Sequence, residues 1–207
     1  MIGIFGGTFD PVHYGHLRTL LEVCELLPLS EVRLIPCHIP AHRGVPGATP
    51  KQRLAMLQLA LQDIPRFVVD QRELDRGGRS YTVDTLTSLR DELGSAPLCL
   101  ILGMDAFIKL DTWHEWSRLI ELAHIVVMQR PGCAMPSGAV AELVARYRVN
   151  DKRDLMRAAA GGIWFQQVTQ LEIAATAIRE QVAQERDIRF LLPETVREYI
   201  KANNLYH

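Results

Sequence analysis

Apolar positions along this chain alternate between two spacings. Short runs at Ile2 to Phe5, Val32 to Ile35, Phe67 to Val69, Leu98 to Leu102 and Ile125 to Met128 predict buried strands. A further short strand is expected near Ile163 to Gln167. Between the runs, apolar residues fall at helical spacing. Leu17, Leu20, Leu21, Cys24 and Leu27 mark one helix; Val83, Leu86, Leu89 and Leu93 mark another, stopped by Gly94. A helix from Pro50 to about Leu61 carries its own start signal: Thr49 can cap it, Pro50 suits the first turn, and Gln52 completes a capping box. Helical stretches are also expected around Trp113 to Leu122, over Val140 to Arg148, and from about Thr176 to Gln184. Pro193 opens a last helix that ends near Asn203.

Strands and helices that alternate in this way predict an α/β fold, a parallel sheet with helices on both faces. Ligands of such sheets sit beyond the carboxyl ends of the strands. The segments of interest are then Gly6 to His16, Pro36 to Arg53, Asp70 to Thr85, Gly103 to Trp116 and Val168 to Arg179. Cys37 to Pro50 stands apart, with three prolines and two glycines beside His38, His42 and Arg43. It reads as a long functional loop, because the fold pattern resumes directly after it.

Composition narrows the picture. The chain has 207 residues, 48% hydrophobic and 23% charged, which excludes a disordered tail, a collagenous repeat and a coiled-coil rod. Its net charge of -1 excludes a diffuse basic surface and so argues against a nucleic-acid partner. Cys24, Cys37, Cys99 and Cys133 are too dispersed for a Cys-x-x-Cys site, and predict reduced thiols and a cytoplasmic location. No targeting segment is visible, and no apolar run reaches the ~20 residues of a membrane helix.

The chemistry concentrates in Gly6-Gly7-Thr8-Phe9-Asp10-Pro11-Val12-His13-Tyr14-Gly15-His16, between the first strand and the first helix. Glycines let backbone N–H groups approach a phosphate, and the helix start adds a positive dipole. His13 and His16, with Gly15 between them, can donate hydrogen bonds to oxygens that gain charge during transfer. Asp10 can orient the glycine loop, and Asp84 reads as a first-turn helix acid. His38, His114, His124 and His207 show no ligand spacing.

This string resembles the signature of the nucleotidyltransferase superfamily marked by His-x-Gly-His, and more closely that of the bacterial nicotinate-nucleotide adenylyltransferase family. Four further segments are similar to that family's: Pro40-Ala41-His42-Arg43; Ser80 to Leu86; Gly103-Met104-Asp105 with Trp113 and Trp116; and Ile173 to Arg179. The resemblance implies one Rossmann-like, doubly wound nucleotidyltransferase domain over residues 1–207, with a small C-terminal helical part over roughly 170–207. It implies transfer of the adenylyl group of ATP to nicotinate mononucleotide, giving nicotinate adenine dinucleotide (deamido-NAD) and pyrophosphate in NAD biosynthesis. Such a reaction needs no enzyme nucleophile, since the acceptor phosphate attacks directly.

The resemblance assigns His13, His16, Arg43 and Arg179 to catalysis. It assigns Gly6, Gly7, Thr8, Phe9, His13, His16, Gly103, Asp105, Thr176 and Arg179 to ATP, and Gly7, Thr85, Asp105 and Trp113 to nicotinate mononucleotide. Thr85 would act through backbone groups at a helix start, and Trp113 would stack on the pyridine ring. Mg²⁺ would bind mainly through ATP phosphates and water, with no protein cage. Ala174 and Ala175 stand where the family carries one or two serines, so backbone donors alone would serve there. Two alternatives share the motif: a sister adenylyltransferase taking another phosphate acceptor, such as nicotinamide mononucleotide or phosphopantetheine, and a class I aminoacyl-tRNA synthetase fragment. The Trp113 and Ser80 to Thr85 segments disfavour phosphopantetheine; the short chain without Lys-Met-Ser-Lys-Ser disfavours a synthetase. A non-catalytic nucleotide-binding module would instead carry Gly-x-Gly-x-x-Gly after the first strand, which is absent.

Overall fold

The computed structural model describes every residue except His42, Arg43, Pro131, Cys133 and Gln170. Its strands are β1 (Ile2–Gly7), β2 (Glu31–Pro36), β3 (Ile39–Pro40), β4 (Phe67–Val69), β5 (Arg79–Ser80), β6 (Leu98–Gly103), β7 (His124–Gln129) and β8 (Ile163–Gln167). Its α-helices are α1 (Tyr14–Leu26), α2 (Pro50–Leu61), α3 (Arg72–Arg76), α4 (Thr82–Leu93), α5 (Met104–Phe107), α6 (Leu119–Leu122), α7 (Gly138–Tyr147), α8 (Ala175–Ala183) and α9 (Glu194–Ala202). Six strands form one sheet in the order β4-β2-β1-β6-β7-β8, flanked by helices, and β3 and β5 form a separate parallel pair. β1 runs parallel to β6, β6 to β7, and β7 to β8. This is the α/β architecture that the alternating pattern predicts.

Two compact units make up the chain. The first comprises Met1–Phe5, Val23–Arg33 and Tyr81–Val168. Its buried core comprises the runs Leu98 to Leu102 and Ile125 to Met128, Val83, Leu86 and Leu89 of α4, and Phe107, whose ring meets Phe165 edge-on at 5.8 Å. Half-buried Arg90 staples the unit, donating to the carbonyls of Gly94, Ala96, Leu122 and Ala159. Buried His124 is satisfied on both nitrogens: Nε2 pairs with the Ala158 carbonyl at 2.9 Å, and Nδ1 accepts the Gly162 N–H at 2.9 Å. Desolvation holds its pKa below the usual histidine value, which suits a neutral structural ring.

The second unit comprises Gly6–Glu22, Leu34–Ser80 and Thr169–His207. Met56, Leu57 and Leu61 of α2 are buried with Val196 and Ile200 of α9 and with Ile178 of α8. The Thr195 hydroxyl ties α9 to α2 through the Leu59 carbonyl at 3.2 Å. The capping box at Thr49 forms in full: its hydroxyl accepts the Gln52 N–H, and Gln52 Oε1 accepts the Thr49 N–H.

Most predicted elements lie within a residue or two of their expected bounds. One does not. The stretch around Trp113 to Leu122 is broken into two 3-10 turns, Leu110–Thr112 and Trp116–Arg118, followed by α6. Trp113 is extended (ψ 148) and Glu115 is left-handed (φ 48), so the i to i+4 ladder cannot run through them. Apolar spacing of three fits a 3-10 turn as well as an α-helix, and pattern alone does not separate them. Cys24, Cys37 and Cys99 are buried thiols, as expected of core cysteines; Cys133 lies outside the described residues. No described helix is long and apolar enough to cross a membrane.

Candidate active site

Gly6 and Gly7 end β1, and the chain then turns through Thr8 to His13 before α1 begins. Two glycines in this region answer to close approach. A Cβ on Gly7 would lie 2.9 Å from the Phe9 ring, and one on Gly15 would lie 2.9 Å from His13 Nδ1 and 3.1 Å from the Ile173 carbonyl. Gly15 thus leaves room for the histidine pair, as its place between them suggests. The two imidazoles stack with centroids 3.7 Å apart, and Phe9 meets His16 edge-on at 5.4 Å. Phe9 is itself 1% exposed, so its ring packs in the core beside the histidine pair. The His13 carbonyl accepts the His16 N–H at 2.9 Å and starts α1.

His13 is 5% exposed, and its Nδ1 has no hydrogen-bond partner among the described residues. Desolvation lowers its pKa from 6.5 to about 4, so the ring is neutral at pH 7 and offers an N–H without a charge. A linkage follows. Between about 4 and 6.5 the unfolded chain binds a proton at His13 that the folded chain does not. Stability is then full above pH 6.5 and falls as pH drops towards 4, by about 3 kcal/mol at most. Urea midpoints measured from pH 7.5 to 4.5 should fall accordingly. In His13→Asn the slope should flatten without vanishing, because His124 is also held low; an unchanged slope would refute the burial argument.

Positive charge enters from α8. Ala174 caps that helix without a side-chain bond, and Ala174, Thr176 and Ala177 are exposed. The first N–H groups of a helix have no intrahelical acceptor, so this end can take an anion through its backbone. Arg179, one turn on, donates to the Asp10 carbonyl at 2.7 Å and to the Thr176 hydroxyl at 3.3 Å. Thr176 and Arg179 therefore share one helix end, joined to the loop that carries the histidines.

Arg53, which pattern reading passed over, and Asp10, expected to orient the glycine loop, hold this arrangement. Arg53 is fully buried; it donates to the Thr8 carbonyl at 2.8 Å and the His38 carbonyl at 3.0 Å, tying the glycine loop to the segment after β2. Asp10 is 4% exposed and accepts the N–H groups of Gly47 and Ala48 at 2.8 and 3.0 Å. The loop after Cys37 is pinned at its near end as well. Ile39 and Pro40 pair with Arg79 and Ser80, and the Ser80 hydroxyl accepts the His38 N–H at 2.9 Å. Arg43 lies outside the described residues.

Gly103, Asp105, Thr85 and Trp113 belong to the first unit. Gly103 ends β6 and caps α5, Asp105 is exposed in the first turn of α5, and Trp113 is half-buried. Asp84 stands in the first turn of α4, as expected. Thr85 departs from its expected role: it is 3% exposed, its N–H donates to the Tyr81 carbonyl at 3.2 Å, and its hydroxyl donates to the same carbonyl at 3.3 Å. Being a full turn inside α4, its donors serve the helix. The backbone donors open at that end are those of Thr82, Val83 and Asp84.

A model of the cytidylyltransferase-like family matches residues 4–181. A protein of Methylococcus capsulatus named probable nicotinate-nucleotide adenylyltransferase is 52% identical over 100% of this chain and 99% of its own. A Halorhodospira halophila protein of the same name is 51% identical over 96% of this chain and 92% of its own. The chain belongs to the cytidylyltransferase-like family and, within it, to the nicotinate-nucleotide adenylyltransferases. A Plasmodium falciparum nicotinic acid mononucleotide adenylyltransferase solved with NaAD shares the fold at TM-score 0.76 and 17% identity, covering 99% of this chain and 96% of that one.

Proposed function

We propose that this chain transfers the adenylyl group of ATP to nicotinate mononucleotide in NAD biosynthesis, acting as one nucleotidyltransferase domain over residues 1–207. The observation that carries the chemistry is the stacked pair of His13 and His16, linked through Asp10 to Arg179 at the open end of α8. The acceptor phosphate oxygen attacks the α-phosphorus of ATP, the bond to the bridging oxygen breaks, and pyrophosphate leaves. No covalent enzyme intermediate is needed. Neutral His13, with His16, donates hydrogen bonds to phosphate oxygens as charge builds on them. Arg179 and the α8 N–H groups hold the polyphosphate, and Thr176 stands beside them. Arg43 would add a second cation on the leaving-group side.

The backbone of Gly6, Gly7, Thr8 and Phe9 would line the ATP phosphates, with Gly103 and Asp105 assigned to the nucleotide. For nicotinate mononucleotide, the carboxylate would be received by the N–H groups at the start of α4, next to Thr85. Asp105 would hold a ribose hydroxyl and Trp113 would stack on the pyridine ring, with Gly7 assigned to the same substrate by the family resemblance.

Among the described residues, no group of three His, Cys, Asp or Glu could hold a metal ion. Asp10 lies nearest the histidines in sequence, but its oxygens already accept from Gly47, Ala48 and Tyr206. The donor set fits Mg²⁺ arriving as the ATP complex, held by phosphates and water, where it would neutralise charge on the leaving group.

The test is a competition between nicotinate and nicotinamide mononucleotides, with ATP and Mg²⁺. Turnover should strongly favour the nicotinate form. Comparable turnover of both would refute the carboxylate reading, and no dinucleotide from folded protein would refute catalysis.

A further inference from the structure

Tyr206, next to the last residue, reaches the glycine loop. Its hydroxyl donates to Asp10 Oδ1 at 2.8 Å across 196 residues of sequence. The same oxygen accepts the Ala48 N–H at 3.0 Å, and Oδ2 accepts the Gly47 N–H at 2.8 Å. Arg179 meets Asp10 twice, donating to its carbonyl at 2.7 Å and standing 3.7 Å from Oδ2. Burial, and after it the Asp10 charge, pushes the Tyr206 phenol far above its ordinary value, so it remains a donor at any working pH. The ring itself lies against Gly47: a Cβ there would fall 3.1 Å from Tyr206 Cδ1 and 3.5 Å from Arg179 Cδ. Tyr206 holds this place with a left-handed backbone, φ 68, a conformation that non-glycine residues keep only where surrounding contacts enforce it.

We propose that Tyr206 is a positioning residue for adenylyl transfer: through Asp10 it holds the Gly47–Ala48 backbone and the Arg179 guanidinium in the arrangement that receives the ATP phosphates. This rests on the assignment of Arg179 and the histidine loop to ATP. Asp10, in the glycine loop, gathers donors from the loop after Cys37, from α8 and from the C-terminal segment. Removing one lets the carboxylate turn towards those that remain, and Arg179 turns with it. ATP should suffer and the other substrate should not.

Tyr206→Phe deletes one oxygen and leaves the ring against Gly47. It should raise KM for ATP by ~5- to 10-fold, the scale of part of one charge-assisted hydrogen bond. KM for nicotinate mononucleotide should stay within about twofold, and Tm should fall by only a few degrees. Gly47→Ala displaces the same ring from the other side and should give the same split, with the double variant no worse than the poorer single one. ATP affinity measured by calorimetry accompanies the kinetics. A folded Tyr206→Phe protein with unchanged ATP affinity overturns the proposal. So does an equal rise in both KM values, which would mark general loosening. If the unmodified protein makes no dinucleotide, the functional reading fails instead, and the calorimetric comparison still decides the role of Tyr206.

Discussion

His16→Ala is expected to lower kcat at least ~100-fold, the loss typical of removing one transition-state donor from a preorganised site. The ring is half-buried, stacked on His13 at 3.7 Å and met edge-on by Phe9 at 5.4 Å. Those contacts orient it without making it a keystone of the core. Their loss should cost about 1 kcal/mol, or a few degrees of Tm in a chain of this size. KM values should move little, because the donor works hardest on charge that appears only in the transition state. Steady-state kinetics with both substrates, beside a thermal melt, check this. Activity near that of the unmodified protein, or collapse of the melt, would remove His16 from the mechanism.

Asp10→Ala should combine a large stability loss with near-complete loss of activity. Three donors lose their acceptor: the Gly47 and Ala48 N–H groups and the Tyr206 hydroxyl. Breaking one partner of a buried charged cluster typically costs about 3–5 kcal/mol, because the groups left behind are neither solvated nor paired. Arg179 keeps its bond to the Asp10 backbone carbonyl but loses the carboxylate beside it. Asp10→Asn preserves shape and one acceptor oxygen, so it should lie between alanine and the unmodified protein in urea midpoint. Equal midpoints for Asp10→Ala and the unmodified protein would show that the cluster is incidental to stability.

Much of this molecule is legible in local sequence. The capping box at Thr49, the strands Phe67–Val69 and Ile163–Gln167, and the stop at Gly94 all occur where residue chemistry places them. Each depends on neighbours a few residues away, and such interactions leave a periodic or punctuating mark. Trp113 to Leu122 is the counterexample: its spacing suits two helical forms, and the extended Trp113 and left-handed Glu115 that break it leave no mark in the pattern. Thr85 makes a related point, since a motif names a residue while the helix start decides which N–H groups are open.

The alternation of strand and helix spacings determined the α/β fold, and the string from Gly6 to His16 predicted where a phosphate-binding loop would lie, because glycines, histidines and a helix start are adjacent in the chain. Only the tertiary structure decided that His13 is neutral, that Arg53 clamps the Thr8 carbonyl across 45 residues, and that Tyr206 closes on Asp10 across 196. Burial sets the first, by withholding the water that would stabilise the charged ring. The other two are contacts between distant segments, which no local period encodes and which exist only once the chain has packed.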